Sequence, residues 1–311
     1  MANYLVTGAA GFIGAALAKE LKDGGNKVVT IDNLSTGIQS KIPESVFFVQ
    51  GDCADPLVYD KLPELRFDAI FHIAGQSSGE ISFDDPIYDI RTNVEATLLL
   101  LKYAIKNGCK RFIYAGTMSV YGVKPDRPIN EEETCKPQSF YGVGKLASEH
   151  YMRIYQEYGI ESTSLRLFNV YGPGQNLENL RQGMVSIFLA QMLKNHSIHA
   201  KGSPDRFRDF IYIDDVVDAF VRCLSCKRSY GKVINIGTGT RKKVKDVIAE
   251  LVKNQNQDIS VEYSGCTKGD IHGIYADVER MEEILGMKTK TPFEIGVNKM
   301  VSWARSKIKH N

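Results

Sequence analysis

Short, uninterrupted apolar runs alternate with stretches of helical periodicity through the first half of the chain. The runs "YLVTG" (4–8), "KVVTID" (27–32), "VFFVQGD" (46–52), "DAIFHIAG" (68–75) and "RFIYAGT" (111–117) read as strands buried on both faces. A half-exposed strand would instead alternate apolar and polar residues. Between them, "FIGAALAKELKDGG" (12–25) places apolar residues at helical spacing and ends at a Gly-Gly stop. Pro86 to Lys106 predicts one long helix. A helix carrying "YGVGK" (141–145) comes next, then a strand at "ESTSLRLFNV" (161–170). Buried strands joined by helices predict an α/β fold with a doubly wound parallel sheet.

Beyond residue 171 the texture changes. "YGPGQNLENLRQG" is a Gly/Asn-rich loop, followed by a helix near 184–194, a strand at "RDFIYI" (208–213), a helix from Asp214 to Ser225 and a strand at "VINIG" (233–237). This predicts a nucleotide-binding domain over residues 1–171. Residues 172–311 then form mainly a smaller mixed α/β substrate-binding lobe, with some segments returning to the sheet. A cleft between the two is the natural place for a second ligand.

Charge and cysteines narrow the classes. The 39 basic and 37 acidic residues give a net charge of +2 without long charge blocks, which argues against a nucleic-acid arm or a membrane-binding patch. The longest apolar stretch, "ATLLLLKYAI", is about half a membrane span and carries a lysine. Six cysteines in 311 residues, and an N-terminus without a signal-peptide pattern, predict a cytoplasmic protein. The "CLSC" pair, Cys223 and Cys226, lacks further ligands at zinc spacing, so no metal is expected.

"TGAAGFIG" sets Gly8, Gly11 and Gly14 between the first strand and the first helix. Such glycines serve a tight turn, close approach to a pyrophosphate and close helix–strand packing, at a helix start that attracts phosphate. That arrangement is a Rossmann-type dinucleotide site. Asp32 ends the second strand, where a carboxylate accepts hydrogen bonds from ribose hydroxyls and repels a 2′-phosphate. The following "NLSTG" holds no arginine, so NAD is the expected cofactor. Asp52 in "GDCAD" stands either near the adenine amino group or as an N-cap for the next helix.

Tyr141 and Lys145 lie one helical turn apart and so share a face. An ammonium beside a phenol favours phenolate and lowers a pKa that is otherwise near 10; a cationic nicotinamide does the same. The glycines at 142 and 144 would let a cofactor or a strand come close to this helix.

Seven ordered motifs, "TGAAGFIG", "HIAG", "GTMSVYG", "PQSFYGVGK", "LRLFNVYGPGQ", "RDFIYIDDVV" and "NIGTG", resemble the extended short-chain dehydrogenase/reductases. Within them, the chain resembles the NAD-dependent nucleotide-sugar epimerases and dehydratases, from Leu5 to about Gly286. The resemblance implies that Thr117 holds the sugar hydroxyl being oxidised and that Tyr141 removes its proton. It implies that Lys145 holds the nicotinamide ribose and tunes Tyr141, while hydride leaves to the nicotinamide. It places Gly8, Gly11, Phe12, Ile13 and Gly14 at the pyrophosphate turn. Asp32, Asn33, Ser35, Thr36 and Gly37 fall after the second strand, Asp52 and Cys53 after the third. Ile73, Ala74 and Gly75 pass under the cofactor, with Phe168 nearby. For the substrate it implies Ser77, Thr117, Asn169, Arg208 and Asp270, with Asn169 and Arg208 at the diphosphate and Asp270 near the nucleoside.

Departures shape the expected reaction. Sugar 4,6-dehydratases carry an Asp-Glu pair where this chain has Met118 and Ser119, and the sugar-acid decarboxylases usually carry glutamate at the place of Ser119. What survives is oxidation at C4, giving a nucleotide-sugar 4-epimerase if hydride returns to the other face. The alternative is a net C4 dehydrogenase or reductase that releases a 4-keto sugar. Thr267 stands where UDP-sugar epimerases often have arginine, which leaves GDP- and CDP-sugars open. The resemblance also suggests a homodimer through the Pro86–Lys106 and Tyr141 helices.

Overall fold

The structure, a computed structural model, describes every residue except 254, 256, 267, 268, 270 and 309–311. The five apolar runs form β1 (Asn3–Thr7), β2 (Lys27–Asp32), β3 (Phe47–Gln50), β4 (Ala69–His72) and β5 (Arg111–Thr117). They join β6 (Glu161–Leu167) in one parallel sheet whose order is β3-β2-β1-β4-β5-β6. A seventh strand, Lys232–Ile236, adds in parallel beyond β6, so part of the C-terminal half returns to the sheet.

Both faces of this sheet are covered, which is why its strands are continuously apolar. Val6, Phe71 and Ile113 turn to one core with Leu17 and Leu21 of α1 (Phe12–Asp23). Their neighbours Leu5, Ile70 and Phe112 turn to the other core, with Leu100 and Leu101 of the helix Ala96–Asn107 and Met152 of the helix Phe140–Tyr155. At about 25 cal/mol per Å² of apolar area, each such residue adds roughly 1.5–3 kcal/mol.

The long helix expected from Pro86 is interrupted. α2 (Pro86–Ile90) and α3 (Ala96–Asn107) are joined by a π-helical turn, Arg91–Glu95, in which Thr92 and Asn93 are buried. Such turns insert a residue into the helical repeat and re-aim side chains. The strand expected over 161–170 is likewise split. β6 stops at Leu167, Phe168 bends, and β7 (Asn169–Tyr171) pairs with Phe207–Tyr212 in a second, small sheet. That bend moves the chain off the main sheet and over the ends of its strands. A third pairing joins Ser197–Lys201 and Ser260–Ser264.

Gly14 of α1 sits against the end of β1. A Cβ there would lie 2.0 Å from the Gly8 carbonyl oxygen, so only glycine lets helix and strand approach this closely. Gly8 itself has φ +72° and faces the backbone of Ala74 at the end of β4. No described helix is long and apolar enough to cross a membrane.

Candidate active site

The carboxyl ends of the parallel strands open into a cleft of about 440 Å³. In doubly wound sheets this edge collects the ligand-binding loops. At the β1 end, Gly8, Gly11, Phe12, Ile13 and Gly14 line it. No side chain caps the start of α1, so its first N–H groups remain available to an anion. Asn33, Ser35, Thr36 and Gly37 line the wall beyond β2. Asp32 is buried; its Oδ2 accepts from the Ala10 N–H at 2.9 Å and its Oδ1 from the Leu34 N–H at 2.8 Å. The remaining acceptor positions suit ribose hydroxyls.

Asp52 and Cys53 follow β3 in the same wall. Asp52 Oδ1 accepts from the Ala54 N–H at 2.8 Å and Oδ2 from Asn33 Nδ2 at 3.3 Å. The cap of the next helical turn is Asp55, which leaves Asp52 as a cleft residue. Ile73, Ala74, Gly75 and Ser77 follow β4, and Phe168 and Asn169 follow β6. An uncapped helix start, a glycine cradle and a buried acceptor carboxylate together fit NAD.

The opposite end of the cleft gathers Thr117, Tyr141 and Lys145. Thr117 ends β5, and its Oγ1 accepts from the Ser119 N–H at 3.1 Å. Tyr141 and Lys145 lie in the first turns of α4 (Phe140–Tyr155), which Ser139 caps by accepting from the Gly142 N–H at 3.1 Å. Lys145 Nζ donates to the Ala115 carbonyl at 3.2 Å. It lies 4.6 Å from the Tyr114 ring centre and 6.0 Å from that of Tyr141.

The Tyr141 phenol is shifted up rather than down, against the expectation from the Tyr–Lys spacing. Burial pushes Tyr141 up to about 12, the Thr117 hydroxyl pulls it back, and the Asp89 carboxylate pushes it up again. Burial also lowers Lys145 to about 8, with Asp89 and Glu149 opposing the fall. Desolvation is the largest cause of both shifts. The two glycines also serve another purpose than expected. A Cβ on Gly142 would meet Ser119 O and Pro137 Cβ, each at 2.8 Å, and one on Gly144 would meet Asp89 Oδ2 at 3.3 Å. They let a loop and a helix approach α4, and neither lines the cleft.

Arg208 is placed away from the cleft wall. It is buried, and its guanidinium donates to the carbonyls of Phe207, Ile271 and His272; burial lowers it to about 10. Asp270, with Thr267 and Lys268, lies outside the described residues. Cys223 is buried and Cys226 half-buried, both as free thiols, and no metal-binding cluster occurs among the described residues.

Several residues in and behind the cleft wall carry no sequence motif. Asp89 is fully buried, and its Oδ1 accepts from Gln76 Nε2 at 2.8 Å and Asn93 Nδ2 at 3.2 Å. This ties the 75–79 loop to the π turn. Asp89 and Asn93 stand four apart inside an apolar helical stripe, which was the available signal. Across the cleft, Gln182 Nε2 donates to Ser77 Oγ, and Ser78 Oγ donates to the Arg181 carbonyl at 3.0 Å. The buried oxygens Asn169 Oδ1 and Gln175 Oε1 have no protein partner and belong to lining residues. Buried acceptors are ordinarily satisfied, so these two fit donors on a ligand.

Residues 4–237 match the NAD dependent epimerase/dehydratase family. The chain belongs to that family. A UDP-glucose 4-epimerase of Mycolicibacterium smegmatis is 32% identical over 310 residues, covering 97% of this chain and 98% of that protein. A crystal structure of Thermotoga maritima UDP-glucose 4-epimerase with UDP-glucose is 33% identical, with a TM-score of 0.92 over 98% of this chain and 99% of that one. A Thermus thermophilus UDP-glucose 4-epimerase complex with NAD is 29% identical, with a TM-score of 0.91 over 97% and 99% of the two chains. This epimerase/dehydratase is an NAD-dependent enzyme of the extended short-chain dehydrogenase/reductases.

The Lys145 shift has a stability consequence. Its folded-state pKa, about 8, lies below the ordinary 10.5, so the cost of burying the ammonium is complete below pH 8 and vanishes above 10.5. Cofactor-free Lys145→Met protein should therefore melt at a higher temperature than wild type at pH 7. The difference should shrink as pH rises from 8. Thermal unfolding followed by circular dichroism checks this, and a midpoint at or below wild type at pH 7 contradicts it.

Proposed function

We propose that the chain is a nucleotide-sugar 4-epimerase that oxidises C4 of the sugar transiently and returns hydrogen to the opposite face. The observation that carries this reading is the convergence of Thr117, Tyr141 and Lys145 at one end of a dinucleotide-shaped cleft. Bound NAD supplies a reversible acceptor for the C4 hydrogen and a positive ring charge that favours phenolate. Thr117 orients the C4 hydroxyl, Tyr141 takes and later returns its proton, and Lys145 adds positive charge on the same side. Met118 and Ser119 line the cleft where elimination chemistry would need acids.

The substrate end supports a neutral hexose. Ser77, Ser119, Asn169, Gln175, Asn176 and Gln182 line it with hydroxyls and amides. Neighbouring Arg181 pairs with Asp84 at 2.6 Å, and Lys145, whose Nζ donates to the Ala115 carbonyl, is the described cation at this end of the wall. Likeness to UDP-glucose 4-epimerases makes UDP-glucose the first substrate to test, with GDP- and CDP-glucose as comparators because of Thr267. Tyr141→Phe should keep NAD binding and lose at least about 100-fold in turnover, as expected for loss of a general base. Epimerisation by wild type should leave no net absorbance at 340 nm. Near-normal turnover in the variant removes Tyr141 from the mechanism, and NADH accumulation favours the dehydrogenase reading.

We also infer self-association through α2 and α4. Ile87, Ile90, Val143 and Ile154 are exposed on these helices, an apolar surface that a monomer leaves in water. Sedimentation should find a dimer; a monomer at micromolar concentration contradicts this.

A further inference from the structure

Lys41 is the cation of the cofactor half of the cleft. Among the described residues of the wall, the charged groups are Asp32, Lys41, Asp52 and Lys145, and Lys145 stands at the Tyr141 end. A dinucleotide brings two more negative charges to a region that already holds two carboxylates. Lys41 is half-buried, and its Nζ donates to the Gly174 carbonyl at 2.7 Å, across 133 residues of sequence. A charged donor makes this a strong hydrogen bond.

The two loops it joins border the pyrophosphate turn. The loop after β2 is pinned at its near end by the Ile38 N–H donating to the Ala10 carbonyl at 3.0 Å. Lys41 pins its far end. The loop after β7 crosses above α1: Gly174 has φ +96°, and a Cβ on it would lie 3.6 Å from the Phe12 ring. Gln175 and Asn176, next along that loop, line the substrate side. A single side chain therefore spans the mouth of the cleft, from the adenosine-ribose loop to the loop that leads to the sugar.

We propose that Lys41 is the fastener of the bound dinucleotide, strapping the loop after β2 to Gly174 over Phe12 and placing one positive charge beside the phosphates. It is a positioning and retention residue and touches no reacting atom. Its purpose follows from the reaction: an enzyme that must return hydrogen to the same sugar gains from a cofactor that leaves slowly. This inference rests on the dinucleotide reading of the cleft.

The test uses the holoenzyme loaded with NADH, whose release is followed by fluorescence after chase with excess NAD. Lys41→Met should release NADH at least tenfold faster than wild type, with KM for the nucleotide sugar changed less than threefold. Lys41→Arg, which restores a charged donor, should return release to within about threefold of wild type. Release from Lys41→Met within twofold of wild type overturns the proposal, as does equal acceleration in both variants. Failure of wild type to bind NADH would instead overturn the cofactor site together with this proposal.

Discussion

Burial of a phenol and an ammonium at one end of the cleft is the constraint on which the rest of this protein depends. Water would hold Lys145 charged and leave Tyr141 near its ordinary value. Inside, both are driven towards neutrality, the phenol up to about 12 and the ammonium down to about 8. Asp89, fully buried on the neighbouring helix, opposes the second shift and reinforces the first. In the proposed reaction, the positive charge of bound NAD beside the phenol would offset this and link proton removal to the oxidised cofactor.

The fold supplies that coupling by geometry. Parallel strands end at one edge, so β1, β2 and β3 present the loops proposed to hold the dinucleotide while β5 and α4 present Thr117, Tyr141 and Lys145, proposed to carry the chemistry. Two breaks in regular structure complete the site. The bend at Phe168 carries Asn169 off the main sheet into the cleft, and the π turn at Arg91–Glu95 aims Asn93 at the loop that holds Gly75. Neither break adds stability by itself. Each trades regular hydrogen bonding for a side chain placed where a ligand or a loop needs it.

Much of this was legible in the chain. Continuous apolar runs with helical spacers identified the parallel sheet, because burial on both faces leaves no polar alternation. Glycines 8, 11 and 14 and the acid at 32 point to the proposed cofactor end, because backbone approach and ribose binding restrict residue types severely, and all four line the cleft. The spacing of Tyr141 and Lys145 points to a pair that shares the cleft wall, but not to the upward shift of the phenol, since a spacing carries no information about desolvation. Gly142 and Gly144 were legible as close contacts, though not as contacts with Ser119, Pro137 and Asp89. Arg208 reads as a diphosphate ligand by its motif, and in the fold its guanidinium donates to the carbonyls of Phe207, Ile271 and His272. Lys41 carries no motif, for its role arises from a partner 133 residues away.

The central claim is that hydrogen leaves C4 and returns to it without meeting water. The most direct measurement supplies UDP-glucose deuterated at C4, or the corresponding sugar of whichever nucleotide the protein accepts, and examines the epimer by mass spectrometry. The account predicts a product inverted at C4 that retains its deuterium in full. Loss of the label to solvent, or inversion at another carbon, would contradict it.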